Sequence, residues 1–386
     1  MELRRTRTTG KYSDQLAEDE RRRKRIRNWF LLVLVVLAAV GLFFLIRYLS
    51  ATKPITVSQL PCSSDQSVTI FGDDVLYYDG VSIQCVSGSG SIRWTFSVGS
   101  GAQFSCSDSQ LVIWSGKQLF IVNANGHPTY NEDMASEVQF ARVGSRYCAV
   151  VIGDETEPEL IIKSLDGTQV DDEIEAFSGL MLMDVGFYGD NDQYMWTLAM
   201  DVYGTAINTV LNTFQVGRMN NGEVDLGSNL AYKVIFENSR LRVFTTQQMY
   251  TYDYKAVQDA TRTQLVHGWQ LIDWSVPDRG NAHMLLAPTT QMSGSLTITE
   301  LRVLTDDSDR SYSLPSECVG AGILGDHLYA VASDYIYYAD VGKQKFSAYK
   351  AQLPTGAAIT GMIGLTNDYR AVVTSGTAVY TITLPR

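Results

Sequence analysis

Two hydrophobic patterns divide the chain. Residues 30–46 hold fourteen Leu, Ile, Val or Phe side chains and no charge. Beyond residue 50 the apolar positions instead come in short runs rich in Val, Ile, Tyr, Phe and Thr, cut by Gly, Asn and Asp. The first pattern lacks the polar face that a helix packed on a soluble core would show. As a helix it reaches roughly 27 Å, close to the ~30 Å hydrocarbon core of a bilayer. At about −0.3 to −0.6 kcal/mol for each central large apolar residue, its insertion is favourable by roughly 4–8 kcal/mol. A transmembrane helix is therefore predicted over 29–48, with Trp29 and Tyr48 at the two interfaces. A secretory signal peptide also places basic residues ahead of an apolar stretch. This stretch is too long for one, and only the poor cleavage site Ser50-Ala51 lies nearby.

The second pattern predicts an all-β fold. Asp79-Gly80, Asn125-Gly126, Asp166-Gly167 and Asn221-Gly222 each follow a strand-like run, as hairpin turns do. Asp79, Asn125 and Asp166 recur about every 40 residues, the spacing of one four-stranded, WD40-like propeller blade. Following that period, first strands are expected near Val68, Ala102, Glu137, Leu180, Leu230, Trp269, Cys318 and Ala357. The prediction is a β-propeller of eight four-stranded blades over 68–386, with seven blades as the alternative count. A sandwich pair would need a linker near the middle, and no Pro, Ser or Gly-rich break appears there. The last unit ends at Arg386 one strand short. Within a short linker over 49–67, the run 55–60, ITVSQL, is expected to pair with the final strand and close the ring, removing an exposed sheet edge.

Charge sets the topology of this plan. Residues 1–28 carry ten Lys or Arg against five Asp or Glu, while the rest of the chain carries twenty-one against thirty-seven, a net −16. Basic residues stay on the cytoplasmic side of a span, so 1–28 reads as a cytoplasmic tail and the propeller as extracytoplasmic. Glu18-Arg22, Asp19-Arg23 and Glu20-Lys24 are i,i+4 pairs that support a short helix leading into the membrane. The acidic body argues against nucleic acid and long anionic polymers as partners.

Residues 91–98, SIRWTFSV, place Trp94 four residues after Gly90, and VLYYDG precedes VSIQCVSGSG. This stretch resembles the repeat of the pyrroloquinoline-quinone-like (quinoprotein-like) propellers, in which the Trp packs between blades. The arrangement of basic tail, one span and divergent propeller is also similar to membrane-anchored bacterial propeller proteins classed as domains of unknown function, a resemblance that implies no activity. The quinoprotein-like class includes dehydrogenases and an assembly scaffold. Its dehydrogenases use an adjacent Cys pair beside the quinone, and no two of Cys62, Cys85, Cys106, Cys148 and Cys318 adjoin. No cofactor is therefore expected.

Chemistry is sparse. His127, His267, His283 and His327 show no metal-ligand spacing, and no nucleophile elbow or phosphate loop is present. The scattered cysteines read as buried small hydrophobes. The acidic runs 154–159, 171–175 and 306–309 match no EF-hand and read as solvated loops. Trp114, Trp196, Trp269 and Trp274 are expected mainly to pack between sheets, with a ligand face as the alternative. Catalytic, cofactor and metal residues are thus not assigned. The expectation is a membrane-anchored binding or scaffold module of the bacterial cell envelope that meets the bilayer through 29–48 and an envelope protein or glycan through its loops. The alternative is an envelope enzyme, a quinoprotein-like oxidoreductase or a glycan hydrolase, using Asp184, Asp190 or Asp273 in the propeller channel.

Overall fold

The computed structural model describes residues 29, 32–38, 40–41, 55–173, 177–237, 239–277, 281–289 and 297–386. The chain divides into two units, 1–54 and 55–386. In the first, residues 29, 32–38 and 40–41 are helical, with exposed side chains. Among the described residues no helix is long and apolar enough to cross a membrane. The rest of the predicted span and the tail 1–28 lie outside them.

The second unit is an eight-bladed β-propeller. Each of its eight sheets has four strands, in sequence order in the first seven. The first strands are Ser67–Phe71, Gln103–Cys106, Val138–Val143, Met181–Tyr188, Ala231–Glu237, Trp269–Ser275, Gly320–Leu324 and Gly361–Thr366, which begin blades 1 to 8. Every predicted start falls within a few residues of these. First strands of blades 6, 7, 8 and 1 touch in succession, which places them around the axis. The eighth sheet takes its outer strand from the other end of the unit. Val57–Ser63 pairs antiparallel with Ala378–Thr383, joining Val57 to Ile382 and Gln59 to Tyr380. Turns between strands one and two, and between three and four, lie on one face of the ring. The remaining turns and the links between blades lie on the other.

Apolar runs unbroken by polar residues follow from burial of each sheet on both faces. In blade 2, Val112, Trp114, Leu119 and Ile121 point toward blade 3, while Leu111, Ile113, Phe120 and Val122 point toward blade 1. Each of the eight apolar clusters of the described residues joins two neighbouring blades, so the core is distributed around the ring. The third-to-fourth turn of one blade abuts the outer strand of the blade before it. Trp94 of blade 1 donates its indole N–H to the Ala124 carbonyl at 2.9 Å and covers Gly126 of blade 2. Tyr130 of blade 2 covers Gly167 of blade 3 in the same way. Both glycines have positive φ, 78° and 87°, and neither has room for a Cβ under the ring above it.

Two expectations about turns are corrected by this arrangement. Asp79-Gly80 joins the second and third strands of its blade, whereas Asn125-Gly126 and Asp166-Gly167 join third and fourth strands, so the three are not equivalent positions. Asn221-Gly222 is not a turn. It lies within the outer strand Met219–Asp225, where Gly222 lets the Lys255-Ala256 backbone of blade 5 come close.

Candidate functional site

The inner wall of the ring is uneven because its first strands differ in side-chain size. Blades 7 and 8 contribute Gly320, Ala321, Gly322, Gly361 and Gly364, and a Cβ at Gly322 would meet Leu365 at 2.7 Å and Asp273 at 3.0 Å. A cavity of about 1360 Å³ opens along blades 6, 7 and 8, with Ile70 and Asp108 contributed by blades 1 and 2. Blade 6 supplies its largest side chain, Trp274. Trp269–Ser275 carries a bulge between Leu271 and Asp273, which changes the alternation of faces along the strand. Leu271 packs in the core shared with blade 5, but Asp273 and Ser275 turn to blade 7.

Asp273 is held by the backbone. Its two oxygens accept hydrogen bonds from Ile323 N and Trp274 N, each at 2.9 Å. Burial outweighs those bonds and pushes the carboxyl up from 3.8 to about 6. Ser275 Oγ accepts a bond from Gly325 N at 2.7 Å. Between and beyond these anchors Ile272, Trp274 and Val276 remain open to the channel, with 39%, 39% and 51% of their surface exposed. Lys233 of blade 5 places its ammonium 4.8 Å from the centre of a Trp274 ring.

At the mouth of the cavity, on the face formed by first-to-second turns, His283 Nε2 lies 2.8 Å from Asp326 Oδ1. Beside it, Tyr338 donates to Asp340 at 2.6 Å, and His327 Nδ1 lies 3.1 Å from the same oxygen. The Lys343 ammonium, followed by the Tyr338 hydroxyl, holds the Asp340 carboxyl down at about 2. Among the described residues no group of three or more His, Cys, Asp and Glu is disposed to hold a metal ion.

The structure separates the residues that sequence grouped together. Trp114 and Trp196 are buried between blades, at 4% and 7% exposure, and Trp269 packs by the Arg302 guanidinium at 5.8 Å. Trp274 alone of the four lines the cavity. Of the three candidate carboxylates, Asp273 lines it, Asp184 is paired with Arg142 at 2.8 Å on the blade 3 side, and Asp190 lies in the turn after the first strand of blade 4. The structure does not bring them together as an acid and base pair. Ile272, Val276 and Lys233 were missed, although the spacing of Ile272, Trp274 and Val276 by two residues was visible in the chain.

The acidic run 306–309 also departs from expectation. Asp306 is no solvated loop charge: in the third-to-fourth turn of blade 6 it receives the guanidinium groups of Arg240 at 3.1 Å, Arg262 at 2.5 Å and the buried Arg242 of blade 5. All five cysteines are free, and burial pushes the Cys85 and Cys318 thiols up to about 12.

No family model and no curated protein matches the chain. Solved structures do. Sqt1 from Saccharomyces cerevisiae superposes with a TM-score of 0.55 at 8% identity, over 86% of this chain and 100% of that one. BamB from Moraxella catarrhalis gives a TM-score of 0.51 at 11% identity, over 86% and 98%. The shared property is the propeller fold. At such identities the likeness extends to architecture and not to any residue of the channel.

Proposed function

We propose that the chain is a membrane-anchored binding or scaffold module of the cell envelope, with the propeller as its extracytoplasmic part and a protein as its partner. The carrying observation is the open apolar row of Ile272, Trp274 and Val276 on the channel wall. Exposed apolar surface in a concave, pre-formed site is retained for contact with another molecule. The anchor rests on the uncharged stretch 30–46 and on the basic residues before it. The packing of Trp94 over the next blade supports the quinoprotein-like resemblance of the first repeat. The enzyme reading retains one favourable feature, the high-lying Asp273 carboxyl, but lacks a second group aimed at a common point.

Treating intact cells with an amine-reactive crosslinker that does not cross membranes tests this reading. Lysines within 55–386 should be linked to envelope proteins, while those within 1–28 react only after lysis. Modification of the propeller only after lysis would refute the placement, and links to the bilayer alone would refute the partner.

A further inference from the structure

Resting on the binding-module reading, we infer that the blade 6 wall of the channel receives an extended segment of a partner polypeptide. Alternate apolar side chains of the segment lie on Ile272, Trp274 and Val276, and a Lys or Arg of the segment lies at the mouth beside Asp326 and Asp108. The row supplies the register. Its members sit at every second residue of one chain, and side chains on one face of an extended segment recur with the same spacing of about 6.6–6.8 Å. The cavity of about 1360 Å³ that runs along blades 6, 7 and 8 supplies room.

Charge selects the end group. Asp108 and Asp326 are exposed at the mouth, and Asp108 has no ion-pair partner among the described residues. Lys233 lies over the Trp274 ring and Asp326 is shared with His283 at 2.8 Å, which leaves Asp108 for the segment's end group. The body as a whole carries net −16, which also draws a basic segment toward it. A glycan fits less well. Trp274 offers a sugar one ring, but Ile272 and Val276 beside it cannot bond its hydroxyls, so a glycan would depend on the polar groups at the mouth and gain nothing from the row.

The test uses the full chain in detergent and calorimetry with three probes: a short peptide of alternating valine and threonine ending in lysines, the same peptide ending in glutamates, and chitohexaose. The lysine peptide should bind at least about tenfold more tightly than the glutamate peptide, and chitohexaose should give no heat. Trp274→Ala and Val276→Ser should each weaken the lysine peptide, Trp274→Ala by about tenfold or more, with unfolding midpoints close to the parent's. Asp326→Asn should narrow the preference for lysine over glutamate. Absence of binding by the lysine peptide, equal binding of the two peptides, indifference to both wall variants, or saturable binding of chitohexaose would overturn the inference. If envelope proteins crosslink in cells through other blades while the peptide fails, the binding module stands and this site falls.

Discussion

Two joints of the same ring share an apolar core but close differently under the third-to-fourth turn of the later blade. Between blades 2 and 3, Val112, Trp114, Ile121, Val138, Ala141 and Val150 form an apolar core, capped where Tyr130 lies over Gly167. Between blades 5 and 6, the third-to-fourth turn presents Asp306 in place of a glycine, and the gap is filled by charge. Arg242, 1% exposed, bonds Glu237 at 2.6 Å, Thr251 at 2.7 Å and Asp306. An apolar joint gains with every methylene removed from water and fails gradually. A buried ionic joint gains little over apolar packing but fails abruptly when one member is removed, because the survivors keep their desolvation cost. The propeller fold therefore fixes where blades meet and leaves open which chemistry joins them.

The largest effect should come from the ionic joint. Arg242→Ala leaves Glu237 facing no cation and is expected to cost about 3–5 kcal/mol. Asp306 fares better, because Arg240 and Arg262 remain. The double change Arg242→Met with Glu237→Leu should cost distinctly less than Arg242→Ala alone, since it removes the orphaned charge together with its partner. Urea unfolding of the three proteins decides the matter. A double variant less stable than the single one would show that the pair is a net source of stability here.

A smaller effect is expected at the apolar joint. Gly167→Ala combines a positive φ with a Cβ driven into the Tyr130 ring, at about 2–3 kcal/mol. Gly80→Ala is the control: its φ is 101°, but nothing stands within 4 Å of the new Cβ, so only the backbone term of about 1 kcal/mol remains. The difference between the two variants, read from chemical denaturation, isolates what the aromatic cap contributes to the joint. Equal losses would show that the ring swings aside without cost.

The ring was legible in the chain because burial on both faces writes itself as short apolar runs, and eight such groups pointed to eight blades, with seven left as the alternative. Features that depend on contact between blades were not. Gly222 looked like a turn residue because Asn-Gly is a hairpin signal, yet it is needed for close approach by the Lys255 backbone. Asp306 looked solvated because its neighbours in sequence are polar, while the arginines that bury it lie more than forty residues earlier. The channel site was hidden by the bulge at Leu271 and Asp273, since strict alternation would not turn Leu271 toward blade 5 and Asp273 toward blade 7. Trp274 therefore could not be told from Trp114 or Trp196 in advance.

The joint between blades 6 and 7 sharpens the comparison, since there a carboxyl bridges two blades with no cation touching it among the described residues. Asp273 titrates near 6 when folded and near 3.8 when unfolded. Below about pH 4 both states hold the proton and the group is neutral in its effect. Between those values the folded chain keeps a proton that the unfolded chain has released, so stability falls as pH rises, and above about 6 the whole penalty is present. At about 1.4 kcal/mol for each pKa unit, that loss is about 3 kcal/mol. Asp273→Asn abolishes the titration but turns an amide N–H toward Ile323 N or Trp274 N, sacrificing one acceptor. The variant should thus be less stable than the parent at pH 4 and should close that gap, or overtake, at pH 7.5. Unfolding curves at the two pH values give the answer: a stability difference unchanged between them would mean that the ionised carboxylate is already satisfied by its two backbone donors, and that a buried charge can join blades without any counterion.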